Sequence, residues 1–431
     1  MKLSLAHARV RWLFGLGVLL LVAMLSWEAG KHGWADRLAN SSEPEDWRQA
    51  AELEPGNAAH WYRLGRFRQS DFVQGDLDQA ILHYQRAIAV SPRSASYWSE
   101  LAGAFALRGE LARARHAFEQ ARSSDPISPQ VAWSYGNFLL RQGQLSEGFA
   151  EIRRALSVDP RPTPFAVSLA WRASGDVERL LEEVLPPASS YYFQALDYFL
   201  SQQELTAALT TWNRLLGLGE PVELPRALPL VGRLIQQERL DEARRVWDQA
   251  LRASGWEVEP GDPSLVWNGG FERELARGGF GWRWRPAPGA TIDFDSTTYW
   301  TGARSLRIVF DGSTNVDFQH LVQYLAVVPG SRYRFRAFLR TEGISTDSGV
   351  RVRLFDPQRP AALDILTRAL LGDQPWSRQE AEFTTGSETR LLAIALRRAA
   401  SRKFDNKIRG TVWVDDVSLT PLGNPGTPRS P

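Results

Sequence analysis

The chain has 431 residues, of which 51 are basic and 49 acidic, and none is a cysteine. Its net charge of +2 gives no general attraction to nucleic acid, and the lack of thiols excludes disulfide bonds and cysteine catalysis. At this length, with 43% hydrophobic residues, two folded domains are expected.

The first predicted element is a run of sixteen uncharged residues from Trp12 to Trp27, which follows the basic residues Lys2, Arg9 and Arg11. As a helix this run would be about 24 Å long, short of the ~30 Å hydrocarbon core of a bilayer but within reach of local thinning. We predict an uncleaved transmembrane signal anchor over 12–28. A cleavable signal peptide is the alternative, although no clean small-x-small cleavage site follows the run.

The charges around this run predict the orientation of the chain. Basic residues before the span favour a cytoplasmic N-terminus over 1–11. The rest of the chain, from a linker over 29–44 onward, is then expected outside the cytoplasm. The predicted location is the cell inner membrane, crossed once, with the bulk of the chain periplasmic or extracellular.

The next segment repeats itself every 34 residues, with Pro92, Pro126 and Pro160 in register. Large apolar residues recur where one copy must pack against the next, and small residues recur where two helices must cross closely. The aligned small positions are Gly65, Ala102 and Gly136, then Ala80, Ala114 and Gly148. This period is that of a helix-turn-helix solenoid unit, which predicts a binding scaffold.

The best-kept copy has Trp98, Leu101, Phe105, Gly109, Ala114, Phe118, Ala121 and Pro126. At these positions it resembles the tetratricopeptide repeat family. The resemblance implies an all-α solenoid, predicted over 45–254 as roughly five units with the last one acting as a cap. The copy from Ala58 has three extra residues around 70–72, and Trp47 to Pro55 is interpreted as the second helix of a copy that lacks its first half.

In this family the first helix of each unit lines a concave groove, which implies a site for a protein partner. The groove candidates are Tyr62, Arg66, Trp133, Asn137 and Arg141. The last three are spaced four apart and form one stripe on a helix, which suits an extended peptide or a partner helix. Packing of the tryptophan between repeats is the alternative.

After a linker over 255–264, the sequence pattern changes to short segments in which polar and apolar residues alternate, separated by glycine and proline. Period-two runs such as 332–336 and 350–354 are typical of half-buried strands. Further candidates are 305–310, 322–327, 379–384, 391–396 and 411–419. They predict an all-β sandwich over 265–420, followed by a disordered tail over 421–431.

The strand region opens with Asn268-Gly269-Gly270-Phe271-Glu272, continues with Trp282, Gly302 with Ser305-Leu306, Pro329-Gly330 and Trp376, and closes with Val414-Asp415-Asp416-Val417. In these motifs it resembles the jelly-roll carbohydrate-binding modules of the galactose-binding-like superfamily. The resemblance implies glycan binding and a structural calcium ion, here held by Glu272 and Asp415. Strand parity predicts that Asp415 points to the core with Val417 and Leu419. A buried, hydrogen-bonded aspartate without a metal is the alternative.

Sugar binding needs flat apolar surfaces with polar rims, and acidic polysaccharides need cations as well. Aromatic candidates for this role are Trp284, Tyr299, Trp300, Tyr324 and Phe404, while Trp282 and Trp376 are assigned to the core. The arginine candidates, expected to share one outward face of two paired strands, are Arg332, Arg334, Arg336, Arg351 and Arg353. An ordinary solvated face balanced by nearby acids is the alternative.

The sequence shows no catalytic motif: the six histidines are scattered, without metal-binding spacing, and there is no nucleophile elbow or phosphate-binding loop. We therefore expect a non-catalytic, membrane-anchored scaffold. Its repeats would bind protein partners and its sandwich would bind glycan, in the assembly or export of a surface polysaccharide or exopolysaccharide. The alternative is a protein-interaction adaptor whose sandwich is structural.

Overall fold

The structure is a computed structural model that describes residues 8–70, 75–256 and 263–422. It divides into two compact units, Met1–Tyr198 and Phe199–Pro431, which we describe separately. The insertion around 70–72 and the tail beyond 422 lie wholly or largely outside the described residues, as do 257–262 of the predicted linker.

The first unit begins with one long helix, α1 (Ala8–Ala39). From Trp12 onward it is long and apolar enough to cross a membrane, and its apolar side chains from Trp12 to Trp27 are largely exposed. The helix continues to Ala39, through residues for which the sequence predicted a linker. Its last part is buried at Ala35 and Leu38, where it packs on α2 (Pro44–Leu53).

The end of α1 therefore takes the place of the first helix that the sequence did not reveal for the copy around Trp47. Ala50 and Ala51 of α2 are fully buried. His32 of α1 contacts the carboxylate of Glu54, whose other oxygen lies 3.1 Å from Nε2 of His60. These contacts join the apolar helix directly to the repeats.

The helices that follow in the first unit pack as consecutive pairs. They are α3 (Ala58–Ser70), α4 (Leu77–Val90), α5 (Ala95–Arg108), α6 (Leu111–Ser124), α7 (Pro129–Arg141), α8 (Leu145–Val158), α9 (Thr163–Ser174), α10 (Val177–Arg179) with a π-helical turn (Leu180–Val184), and α11 (Ser189–Ser201), which crosses into the second unit. Local signals set several ends. Asp76 caps α4 and Ser128 caps α7, whereas Gly109 ends α5 in the left-handed conformation, with φ of 85°.

The small residues that mark the repeat lie where two helices cross. A Cβ placed on Gly136 of α7 would lie 2.9 Å from Cδ1 of Ile152 and 3.0 Å from the carbonyl oxygen of Gly148, both on α8. On Gly103 of α5 it would meet only Nε2 of Gln69, at 3.7 Å. The helix crossing therefore requires a residue without a side chain at Gly136 but not at Gly103.

These two glycines give a matched test of the helix crossing. We expect Gly136→Ala to lower the free energy of unfolding by about 1–2 kcal/mol, because α7 and α8 must separate slightly. Gly103→Ala should raise it by about 0.5–1 kcal/mol, because alanine favours the helix and has room. Urea unfolding followed by circular dichroism measures both values. Equal effects of the two substitutions would contradict this account of the crossing.

The second unit contains the last helices and two antiparallel sheets. The helices are α12 (Leu205–Leu216), α13 (Leu224–Gln236) and α14 (Leu240–Ala253). The strands are β1 (Arg283–Trp284), β2 (Ala290–Asp295), β3 (Ser305–Asp311), β4 (Leu321–Ala326), β5 (Arg332–Ile344), β6 (Arg351–Phe355), β7 (Asp364–Leu366), β8 (Gly372–Thr384), β9 (Leu391–Arg397) and β10 (Arg409–Leu422). Every predicted strand overlaps one of them.

The strands form two five-stranded sheets around one apolar core. Sheet A has the order β1-β4-β9-β6-β7, and sheet B has the order β2-β3-β10-β5-β8. Alternate residues of the strands fill the space between the sheets, with Phe335, Leu354 and Leu392 fully buried. Trp282 is 2% exposed and lies in this core, as the sequence predicted.

The α13–α14 pair packs against the β-rich part of the same unit. The ring of Trp247 on α14 lies edge-on to that of Trp267, with centroids 5.6 Å apart, and to that of Phe280, at 6.3 Å. Gly279 lies so close that a Cβ there would be 2.7 Å from the Trp247 ring. The last repeat-like helices, predicted as part of the solenoid, thus share a compact unit with the sheets.

Candidate functional site

The groove residues of the first unit lie on the first helices of successive pairs. Tyr62 on α3 is half-buried, and its ring centroid is 4.8 Å from that of Tyr97 on α5. Arg66, one turn later, is exposed, with its guanidinium carbon 6.0 Å from the Tyr62 ring centroid. Nearby, burial raises the pKa of Glu100, although the charge of Arg66 acts in the opposite direction. A cavity of about 450 Å³ opens beside Tyr62 and Arg66.

The second groove stripe lies on α7. Trp133 is half-buried and contacts Phe165 of α9, with ring centroids 5.6 Å apart, while Phe165 is itself 55% exposed. Asn137 donates a hydrogen bond to the carbonyl oxygen of Trp133 at 2.8 Å, and Arg141 is exposed. Both alternatives from the sequence therefore hold for Trp133. It packs between repeats, and it also borders a surface depression of about 280 Å³.

The repeat register relates the two stripes. Tyr62 and Trp133 occupy equivalent positions of their copies, and the copy between them has Ser99 there. Arg66 and Asn137 are likewise equivalent, with Gly103 between. Small residues on α5 thus separate two aromatic positions, an arrangement that suits an elongated ligand with side chains at intervals.

In the second unit, Asp415 and Glu272 hold a loop between β2 and β3. Asp415 is fully buried, and its Oδ2 accepts hydrogen bonds from the backbone N–H groups of Trp300, at 2.7 Å, and Thr301, at 3.0 Å. Oε1 of Glu272 accepts from the N–H groups of Ala303, at 2.9 Å, and Arg304. Burial raises the pKa of Asp415, although these N–H donors oppose the shift.

The predicted parity of β10 is wrong at Asp415, whose side chain points to this loop. The core residues of the strand are Val412 and Val414, then Val417 and Leu419, because a bulge between Asp415 and Ser418 inserts an extra residue. Asp415 therefore lies on the outer face of sheet B, under the loop, and does not point to the core.

The donor set around these carboxylates does not fit the calcium ion that the resemblance implies. Calcium takes six to eight oxygen ligands. Here the two oxygens of Asp415 accept three backbone N–H groups, including that of Asp416 at 2.7 Å. Among the described residues no group of three or more acidic or histidine side chains is placed to hold a metal. We derive no role for a metal at this loop.

The five candidate arginines do not share one face. Arg332, Arg334 and Arg336 lie outward on β5 of sheet B, but Arg351 and Arg353 lie on β6 of sheet A. The predicted pairing of the two strands is wrong, because β5 pairs with β8 and β10 instead.

The outward arginines are also largely neutralised. Glu382 on β8 contacts both Arg332 and Arg334, and Arg336 lies 3.1 Å from Asp416. Arg353 pairs with Asp364 at 2.8 Å. These four residues therefore fit the balanced surface that the sequence analysis gave as its alternative.

The aromatic candidates lie in four different settings. Trp284 packs on the core beside Phe318, and Tyr324 is half-buried on the outer face of sheet A, with the guanidinium carbon of Arg283 at 4.6 Å from its ring. Tyr299 and Trp300 are 43% and 45% exposed. Phe404 is fully exposed in a loop.

Trp376 was assigned to the core, and this assignment is wrong. It is half-buried on the outer side of β8, with its ring centroid 6.4 Å from that of Trp300. Its parity is that of Arg378, which lies opposite the outward Phe338. Phe338 and Arg340 were not among the candidates from the sequence, although the alternation of Arg332 to Arg336 continues through them and could have revealed both.

Comparisons with known proteins support the repeats. Residues 69–115 and 108–166 match the tetratricopeptide repeat family model. No curated protein sequence matches the chain. YrrB, described as a TPR protein with an unusual peptide-binding site, is 14% identical and covers 49% of this chain and 94% of its own, with a TM-score of 0.26.

Two further solved structures are similarly distant. A structure described as the functional characterisation of Pseudomonas aeruginosa pilF is 20% identical, covering 48% of this chain and 93% of its own, with a TM-score of 0.26. MamA is 12% identical, covering 41% and 86%, with a TM-score of 0.26. Likenesses this distant do not transfer a function to this chain.

Proposed function

We propose that this chain is a membrane-anchored, non-catalytic scaffold whose helical repeats bind an extended segment of a partner protein. Tetratricopeptide repeats mediate protein–protein interactions, and the segment 69–166 matches that family. The observation that carries the proposal is the row of equivalent positions on α3, α5 and α7, which presents Tyr62, Arg66 and Trp133 at a surface with two depressions.

The anchor part of the proposal is supported by α1. The helix is apolar and exposed over Trp12 to Trp27, and its other end is built into the repeats through Ala35 and Leu38. Such a helix would hold the groove close to the membrane surface. The mass of the purified chain tests the signal-peptide alternative, because cleavage just after Trp27 would remove the apolar run and leave Ala35 and Leu38 in place on α2.

The groove is tested by reversing two exposed charges on first helices of the repeats. Arg66 and Arg141 are exposed, so we expect the double variant Arg66→Glu, Arg141→Glu to fold normally. Affinity purification of full-length protein from its native membrane, with quantitative mass spectrometry, should show at least tenfold less of a specific partner. Arg93→Glu, an exposed control in the turn before α5, should retain that partner. Equal partner recovery with both variants would contradict groove binding.

A second candidate function, glycan binding by the β-sandwich, is favoured by the exposure of Tyr299 and Trp300 on a loop held by two carboxylates. With this activity the scaffold would serve the assembly or export of a surface polysaccharide or exopolysaccharide. Without it, the chain is a protein-interaction adaptor whose sandwich is structural. A glycan array probed with the full-length chain in detergent decides between the two.

A further inference from the structure

The outer face of sheet B carries Arg340 together with several aromatic rings. Arg340 on β5 lies directly opposite Trp413 on β10, and its guanidinium carbon is 5.3 Å from the Trp413 ring centroid. On the next outward position of β5, Phe338 lies between Asp415 and Arg378. Alternate residues share a face, so these side chains all lie on the side away from the core.

Trp300 covers this face from the loop between β2 and β3. Its ring is stacked on that of Phe338, with centroids 4.3 Å apart and planes 14° from parallel, and it is tilted by 55° to Trp376. It nevertheless remains 45% exposed. The hydrogen bonds from Trp300 and Thr301 to Asp415 fix the backbone below the ring, so the exposed indole is held in one position.

The arginines of this face differ in whether a carboxylate neutralises them. Arg336 is paired with Asp416 at 3.1 Å, and Arg378 with Glu380 at 3.2 Å. Arg340, in contrast, has no carboxylate partner among the described residues, although the exposed Glu342 lies two positions further along β5. Arg340 therefore leaves an unneutralised cation over Trp413, one outward position along β5 from Phe338, on which the exposed Trp300 stacks.

These two features match the two faces of an acidic sugar. The C–H face of a pyranose ring stacks on a flat indole, and a carboxylate accepts two parallel hydrogen bonds from a guanidinium group. We propose that Trp300, Trp376 and Arg340 form a binding site for a glycan that contains uronic acids. This rests on the glycan-binding part of the proposed function and adds to it the surface and the ligand class.

The test uses full-length chain in detergent and immobilised oligosaccharides of galacturonate, glucuronate and mannuronate. The same oligosaccharides with methyl-esterified carboxylates are the matched probes, because they keep the ring and lose the charge. We expect at least one acidic oligosaccharide to bind, and its ester to bind at least tenfold more weakly.

The variants separate the two features of the site. Trp300→Ala should weaken binding of the acid and of its ester by tenfold or more, whereas Arg340→Gln should weaken only the acid. The matched controls are Phe404→Ala, an exposed aromatic in another loop, and Arg332→Gln, an exposed arginine paired with Glu382. Both should change affinity less than twofold, and melting curves check that every variant is folded.

Three results would overturn the proposal, and they are distinguishable. Acidic glycan binding that survives both Trp300→Ala and Arg340→Gln would place the glycan site elsewhere and leave the second candidate function standing. No binding to any acidic or neutral glycan by folded protein would remove that function too, and with it this site. A protein ligand that is lost in Trp300→Ala would assign the surface to a protein partner instead.

Discussion

Trp247→Ala is expected to lower the free energy of unfolding of the second unit by about 3–5 kcal/mol. The side chain is 1% exposed, and it fills the space between α14 and the segment that contains Trp267 and Phe280. Gly279 lies against its ring and has no side chain of its own to fill the resulting cavity. Urea unfolding of the full-length chain measures the loss.

The same variant tests whether α14 and the sheets unfold together. Hydrogen exchange should become faster in α14 and also in residues 264–281, because Trp247 packs against both. Phe404→Ala, at a fully exposed position, should change stability by less than about 0.5 kcal/mol. Faster exchange confined to α14 would show that the helix is not part of the sandwich core.

Gly269→Ala is expected to lower the free energy of unfolding by about 3 kcal/mol or more. The added methyl group meets backbone atoms, which cannot move aside by a side-chain rotation. A Cβ on Gly269 would lie 1.9 Å from the carbonyl oxygen of Val417 and 2.9 Å from its carbon. To make room, β10 and the turn must separate, which breaks the 3.0 Å hydrogen bond from the Val417 N–H group to the Gly269 carbonyl oxygen. Thermal unfolding of the second unit measures the effect.

The neighbouring glycine is the control for this substitution. A Cβ on Gly270 would meet only Oδ1 of Asp415 and Cγ of Glu272, each at 3.9 Å. Gly270→Ala should therefore change the free energy of unfolding by less than about 1 kcal/mol. A similar loss for both variants would mean that the opening motif tolerates no side chain for a reason other than contact with β10.

The helical region could be predicted from sequence because its contacts are local. A 34-residue period places Trp98, Leu101 and Ala114 in one helix pair, and the structure has α5 and α6 there. The first helix of the initial pair was missed because residues 28–39 continue the helix that begins with the apolar run, without a break or a cap. The burial of Ala35 and Leu38 and the contact of His32 with Glu54 show that they belong to the repeats.

The outer face of sheet B could not be predicted in the same way. Alternation shows that a segment is a strand, but it does not show which distant strand pairs with it. Arg353 was therefore placed beside Arg336, although the two lie in different sheets. The bulge after Asp415 reversed the parity of one side chain, which changed a predicted core residue into the support of the Trp300 loop.

The central claim is that the first-helix face of the repeats binds a protein, and site-specific photo-crosslinking in the native membrane tests it most directly. A photoreactive phenylalanine analogue would replace Arg66 or Arg141 on the groove side, and Glu119 or Val158 on the second helices as controls. We predict that both groove positions give covalent adducts with the same partner protein and that the control positions do not. Adducts that form equally from Glu119 and Val158, or only from them, would contradict the account.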